Sequence, residues 1–404
     1  MSEPSPSSPS PTPAWLAKAH ASPASIDTSV WNALLDASAQ PTPFMKHEWL
    51  SALHETGCAV SETGWAPLFL TVHASEGGPV EAACALYVKS HSYGEYVFDW
   101  AWADAHQRAG LPYYPKLLCA SPFTPVPGSR LLARTPAARQ ALLSAIEQWA
   151  VQIDASSAHV LLPDDADREA AQGAGWLMRQ GVQFHWTNRQ VMSPGSPPYA
   201  DFADFLASLH RDKRKKIQQE RRRVVEVGVS VQVRRGAQIT QADWDFFYAC
   251  YSNTYLARGN PPYLNRAFFE QVGRTMHEHW LLFIAEVQGQ RVAASLIGID
   301  AARGVAFGRY WGAVTHIPNL HFELCYYAPL AWCIEQGFGR FEGGAQGEHK
   351  MARGLMPVST WSAHWLKDAR FADAVARYLE REREGVDGYV DELLDRQPFK
   401  ATTD

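Results

Sequence analysis

The chain is poor in cysteine. Its 404 residues include six, Cys58, Cys84, Cys119, Cys250, Cys325 and Cys333, and no two are spaced as C-x-x-C. That excludes a disulfide scaffold and a zinc ribbon. Most of the six sit beside apolar residues, where a free thiol behaves as a small hydrophobe, so a reducing compartment is expected. No window approaches 18 uncharged apolar residues, so no membrane span is expected. The opening MSEPSPSSPSPTPAW lacks a basic region followed by an apolar one and is not a signal peptide. A cytoplasmic location follows by elimination. H-E-x-x-H, G-x-x-x-x-G-K-[ST] and G-x-S-x-G are absent, which removes zinc-protease, P-loop and serine-hydrolase readings. His277 and His279, two apart in MHEHW, read as surface or capping residues. A net charge of -5 argues against whole-surface attraction to nucleic acid and leaves room for a local basic patch.

Apolar residues make up 46% of the chain and charged ones 20%, enough for a real core without staples. The Pro/Ser-rich residues 1–25 are expected to be a disordered tail. From Ile26 the periodicity alternates between helix and strand. WAPLFLTVHA, VEAACALYVKS and YGEYVFDWAWA read as successive strands, and ARQALLSAIEQWAVQ as a helix. After about residue 195 the pattern resumes with Phe202, Phe205, Leu206 and Leu209 at helical spacing. WLLFIAEVQG, QRVAASLIGID and GVAFGRYWGAV then read as three antiparallel strands. An offset of 211 residues carries Gly78 onto Gly289, Ala82 and Ala83 onto Ala293 and Ala294, Tyr96 onto Phe307 and Trp100 onto Trp311. This predicts an internal duplication: an α+β chain of two mixed, largely antiparallel sheets, spanning 26–195 and 196–385, with 386–404 as a tail.

Three segments carry candidate chemistry. In the helix expected over 210–223, Arg211, Lys213, Arg214, Lys215, Lys216, Arg221, Arg222 and Arg223 are interrupted only by Asp212 and Glu220 among charged residues. Like charges at i,i+3 and i,i+4 repel by roughly 0.2–0.5 kcal/mol per pair. Carboxylates from elsewhere in the fold, or a polyanionic ligand, must offset this. Lys213, Arg214 and Lys216 are the candidates for ligand contact. In NLHFELCYYAPL, Glu323 and Tyr327 fall on one helical face, with Tyr326 on another and Asn319 as a cap. A carboxylate there can accept an amine proton and a tyrosine can protonate a leaving group. In FEGGAQGEHKMARG, glycines surround Gln346 and Gly347, and Glu348, His349 and Lys350 follow. Such a loop can present backbone N–H groups to an anion. Both segments also read as ordinary amphipathic or connecting structure. Asp99, set amid aromatics, must be hydrogen-bonded across the halves or lie in a cleft. Arg309 and Tyr310 occupy the matching strand of the second half. The fifteen tryptophans are expected in the core or an interdomain groove.

FDWAWA, YYPKLL with SPFTPV, QFHWTN, DKRKKIQQERRRV, GRYWG, LHFELCYY and GAQGEHKMARG together resemble the N-acyltransferases of the FemAB-like family, within the GNAT superfamily, from about Phe44 to Phe371. The resemblance implies tandem GNAT-type domains and transfer of an acyl or aminoacyl group to an amine. The donor it implies is aminoacyl-tRNA or acyl-CoA, used as co-substrate rather than as a tightly held cofactor. A CoA loop of the form [QR]-x-x-G-x-[GA] is missing from WGAVTHIPNLHFE, so the donor stays open. The expected activity is direct N-acyl transfer to a small or peptide-like amine, with tRNA as a further partner, in a monomer or homodimer. Catalysis is assigned to Glu323, Tyr326, Tyr327, Glu348 and His349. Donor contacts are assigned to Lys213, Arg214, Lys216, Arg309, Gln346, Gly347 and Lys350. No metal is expected. The alternative is a non-catalytic protein on the same fold that grips RNA or another polyanion.

Overall fold

A computed structural model describes residues 15–193, 195–345 and 347–400. Its strands are β1 (Leu16–His20), β2 (Trp65–Pro67), β3 (Phe69–His73), β4 (Val80–Cys84), β5 (Leu86–Lys89), β6 (Lys116–Cys119), β7 (Leu132–Ala133) and β8 (Ser157–Leu161), followed by β9 (Leu177–Thr187). Then come β10 (Val229–Arg235), β11 (Trp280–Val287), β12 (Gln290–Asp300), β13 (Val305–Ala313), β14 (Arg340–Ala345) and β15 (Met356–Leu366). β1, β3, β4 and β7 form a small sheet, and the other strands form one sheet in the order β10-β11-β12-β13-β14-β9-β15-β8-β6-β5-β2. Two neighbouring pairs are parallel, β13 with β14 and β6 with β8.

The centre of the large sheet is an exchange. β9, from the first half, pairs antiparallel with β14 of the second. β15, from the second half, pairs antiparallel with β8 of the first. β9 and β15 pair with each other from Met356 opposite His185 to His364 opposite Leu177. Neither half therefore completes its own sheet. The apolar interior is likewise shared. Phe44 meets Phe307 at 5.3 Å and Trp280 at 6.3 Å between ring centroids. Trp31, Trp49, Trp65, Trp186 and Trp280 are fully buried, as the tryptophan count led one to expect. Each such ring contributes on the order of 2–3 kcal/mol by leaving water.

The glycine-turned hairpins are present. Gln288 and Gly289, with φ of 52° and 76°, make the two-residue turn between β11 and β12, the twist that hairpins favour. Ala82 and Ala83 lie in β4, and Ala293 and Ala294 in β12, all buried. Beyond the hairpins the 211-residue correspondence stops. Phe307 and Trp311 lie in β13, whereas Tyr96 sits in a loop and Trp100 begins the helix Trp100–Arg108. The expected strand through Asp99 is thus a correction. Alternation in WAWA is too short to decide, and Trp102 and His106, four apart, bury one helical face instead.

Other boundaries move. WAPLFLTVHA and VEAACALYVKS each divide between the two sheets, at Leu68 and Ala85, and Leu68 N–H donates to Leu86 O at 2.8 Å. Order begins before Ile26, because β1 pairs with β3; residues 1–14 lie outside the described residues. The helix Ala369–Asp395 crosses residue 386 without a break, so no separate tail starts there. The basic segment is the helix Arg211–Glu226, preceded by the separate helix Phe202–Ser208.

Candidate active site

The parallel pair β13/β14 stays in register only from Val305–Phe307 to Arg340–Glu342. Beyond that point both strands are disturbed. On β13, Tyr310 pairs with Leu296 and Gly308 with Ile297, so Arg309 is an extra, bulged residue. On β14 the ladder to β9 shifts between Glu342 and Ala345, and Gly344 has φ of 74°. Gly308 marks the last close approach: a Cβ there would lie 3.1 Å from the Phe341 ring. The strands diverge after it. A crevice opens between the halves, built as cavities of about 700, 600 and 150 Å³ that all share Arg309 and Tyr310. The first half supplies Trp65, Tyr96, Phe123 and Gln183 to its walls, and the second supplies Tyr255 and Glu342.

Arg309 is held from the first half. Its Nη2 donates to Phe123 O at 2.9 Å, to Thr124 Oγ1 at 3.2 Å and to Tyr310 Oη at 2.9 Å, while its buried Nε has no partner. Glu342 is buried at the cavity wall, and its Oε2 makes no hydrogen bond among the described residues. Burial pushes its carboxyl up to about 8, with Arg340 and Arg130 opposing. Across the ladder, His185 Nε2 lies 3.1 Å from Gln183 Oε1. Burial drives that imidazole down to about 3, so it is neutral. Lys350 donates to Gly343 O at 2.7 Å and Gly344 O at 3.2 Å, pinning the β14 bulge, and burial lowers it to about 8. Among the described residues no three His, Cys, Asp or Glu side chains cluster as metal ligands.

The structure separates the residues singled out in the sequence. Residues Glu323–Tyr327 form a π-helical turn. Glu323 and Tyr327 both face the basic helix. Glu323 is bound by Arg221, and the Tyr327 hydroxyl donates to Glu220, which also holds Arg353 at 2.9 Å. Their polar groups are thereby occupied. Tyr326 faces the other way, lines the 150 Å³ cavity with Arg309, and has its hydroxyl 3.3 Å from His349 Nε2. His349 is exposed and lines none of the three cavities, and Glu323 lines a separate groove with Arg221 and Arg222. Glu348 is exposed and accepts from the Tyr389 hydroxyl at 3.1 Å. Gly347 has φ of 95°, and a Cβ on it would strike the His349 ring. Gln346 lies outside the described residues. Lys213, which pairs with Asp212 at 3.0 Å, and Arg214 and Lys216 line none of the cavities. Asn319 has φ of 67° and makes no side-chain cap.

Asp99 neither reaches the other half nor lines the crevice. It binds Lys116 and accepts from Tyr113 Oη at 2.6 Å, and Lys116 also donates to Glu95 at 2.8 Å. A charge buried amid aromatics found its partner nearby, seventeen residues on. Sequence reasoning passed over Glu342, Tyr96, Phe123 and Tyr255. Only Glu342 had a local signal, a charge between Phe341 and two glycines at a strand end. All six cysteines are free, and burial lifts the Cys325 thiol to about 12, far from a thiolate at neutral pH.

The fold is thus α+β, a mixed sheet opened between a parallel strand pair with a bulge at the opening. A family model described as peptidoglycan biosynthesis/recognition, FemAB-like, matches residues 22–401, and the chain belongs to that family. No curated protein matches it in sequence. Among solved structures, a conserved protein of unknown function from Bacteroides thetaiotaomicron is 10% identical, with 87% of this chain and 100% of that one covered at a TM-score of 0.52. L-PGS from Bacillus licheniformis is 12% identical, with 87% and 97% covered at 0.50. A tandem GNAT protein from the clavulanic acid biosynthesis pathway is 12% identical, with 87% and 98% covered at 0.45. At such identities the likeness is one of fold. Among the described residues no helix is long and apolar enough to cross a membrane.

Proposed function

We propose that this protein is an N-acyltransferase built from two GNAT-type units, about 26–195 and 196–385, that exchange their last strands. In this reading it moves an acyl or aminoacyl group directly to an amine within the crevice where β13 and β14 diverge. The observation that carries the reading is the buried carboxyl of Glu342 at that divergence, lining the same cavity as Arg309. A neutral amine attacks the acyl carbon and the new C–N bond forms. Glu342, as carboxylate, takes the amine proton. Arg309 and the N–H groups freed by the bulge are disposed to stabilise the oxyanion. The C–S bond of acyl-CoA or the C–O ester bond of aminoacyl-tRNA then breaks, and the Tyr326 hydroxyl protonates the leaving group. Burial keeps that phenol protonated at rest, and the proton taken up by Glu342 returns to Tyr326 to close the cycle. Both donors are cytoplasmic, which suits the same location for the protein.

The test is transfer of labelled acyl groups from acyl-CoA and aminoacyl-tRNA panels to mixed amines, followed by mass spectrometry. Wild type should yield an amide product, and Glu342→Gln should lose it while retaining the wild-type circular dichroism spectrum. An acyl adduct on the enzyme, formed with donor alone, would contradict direct transfer.

A second reading is favoured by one feature. On the basic helix, Arg214, Lys215, Lys216, Arg222 and Arg223 make no ion pair among the described residues, and they line none of the three crevice cavities. Such a face suits a polyanion, with or without catalysis. Nucleic acid co-purifying with wild type, and lost when these cations become glutamates, would support RNA binding.

A further inference from the structure

The 700 Å³ cavity has a composition of its own. Arg258, Arg309 and His91 line it, and among the described residues no Asp or Glu does, in a chain of net charge -5. Its walls are aromatic. Phe123 and Tyr263 stack at 4.9 Å with planes 13° apart, and Tyr251 and Tyr255 lie 5.0 Å apart. Two of the wall residues are held in the left-handed region, Tyr96 at φ of 61° and Phe123 at φ of 56°. For a bulky side chain that conformation costs on the order of 1–3 kcal/mol and persists only where the surroundings impose it. The packing is specific: a Cβ on Gly94 would lie 2.6 Å from the Phe123 ring.

We propose that this cavity is the acceptor site and that the acceptor is an aliphatic amine carrying an aromatic side chain and a carboxylate, either a free aromatic amino acid or a peptide beginning with one. The proposal rests on the acyltransferase reading. The ring lies against the Phe123–Tyr263 stack and the tyrosine faces, where flat groups gain most. The carboxylate is met by Arg258, which lines the cavity, while Arg309 on the same wall stays with the oxyanion. The arginines also serve the reaction. Positive charge beside the amine disfavours its ammonium form, so the acceptor is held as the neutral nucleophile that attack requires. A cavity of this size exceeds one amino acid and leaves room for a following residue.

Binding is read by calorimetry on the full chain without donor, so its outcome is independent of whether acyl transfer occurs. The probes are L-tryptophan, the dipeptide Trp-Gly, tryptamine and L-alanine. Tryptophan or Trp-Gly should bind at least about tenfold tighter than tryptamine, the size of effect a charge-assisted contact gives, and alanine weakest. The tighter of the first two identifies free amino acid or peptide as the source. Arg258→Gln should erase the preference over tryptamine, and Tyr263→Leu the preference over alanine. Equal binding of tryptophan and tryptamine, equal binding of tryptophan and alanine, or no saturation by any probe at millimolar concentration would overturn the proposal.

Discussion

Arg221 and Glu323 form a two-point ion pair between the basic helix and the π-helical turn, with Nε 3.0 Å from Oε2 and Nη2 2.8 Å from Oε1. Glu323 is buried and the guanidinium is about one-third exposed, so the pair acts as a clamp between elements. Glu323→Gln should cost about 1–3 kcal/mol of stability, less than a fully buried pair because water screens one side. Arg221→Met should cost a similar amount, and the double variant less than the sum. Urea denaturation measures this. A Glu323→Gln variant with full stability and no turnover would instead restore Glu323 as a catalytic group.

Glu342 ties activity and stability to pH in opposite senses. Its folded carboxyl titrates near 8 against an ordinary value of 4.5. The unfolded chain releases this proton first, so stability falls as pH rises from about 4.5 to 8. The carboxylate needed to accept the amine proton forms over the top of the same range, so the acyl-transfer rate should climb to a plateau above about pH 8. Glu342→Gln should match wild type in unfolding free energy below pH 4.5 and exceed it at pH 9 by an amount on the order of a few kcal/mol, with the melting temperature moving in the same sense. Thermal melts across pH and a rate–pH profile check both halves of this expectation.

Arg309 is anchored by Phe123 and Thr124 of the first half but lines the crevice with a β13 bulge of the second. A lysine there keeps the charge and loses the planar fork. Arg309→Lys should lower kcat about 10²-fold, the scale for losing an oxyanion donor, with little change in melting temperature. Thr124→Val removes one acceptor from Arg309 and should lower kcat less, with KM for the donor unchanged. Steady-state kinetics distinguishes this from a general loss of folding, which would lower the active fraction without changing KM or the pH profile.

The strand exchange predicts that neither half folds alone. Residues 1–195 would leave β9 without β14 or β15, and β8 with an open edge. Their partners, including His364, whose ring nitrogen sits 2.7 Å from that of His159, belong to the other segment. Each half expressed separately should be insoluble or unstructured, and co-expression should recover a 1:1 complex. Solubility, gel filtration and circular dichroism of the fragments test this.

Much of the local structure was legible. Glycine turns and paired alanines marked the hairpins, because only certain residues accept those backbone angles. The helical spacing of Phe202, Phe205 and Leu206 was read correctly, although the chain breaks at Leu209 to begin the basic helix. Asp99 does need a partner, but finds it in Lys116 of its own half rather than across the halves or in the crevice, and it precedes a helix rather than lying in a strand, since a short aromatic run carries both periods. The family resemblance drew on the same motifs, and Arg309 within GRYWG does line the crevice. Glu323, Tyr327 and His349 did not meet there. A helical projection gives the face a residue occupies, but the opposing surface decides whether that face is a site or a clamp.

Residue order alone determined where the chain turns, which stretches are apolar enough to be interior, and that cations concentrate on one helix, because these follow from backbone preferences and solvation of neighbouring residues. Only the tertiary structure decided that β9 and β15 trade places, that Arg309 bulges where two parallel strands part, and that Glu342 is buried beside it. The strand exchange and the anchoring of Arg309 on Phe123 and Thr124 depend on contacts between segments more than a hundred residues apart. Alternation along a strand specifies which face is buried and carries no label for the strand that will lie beside it.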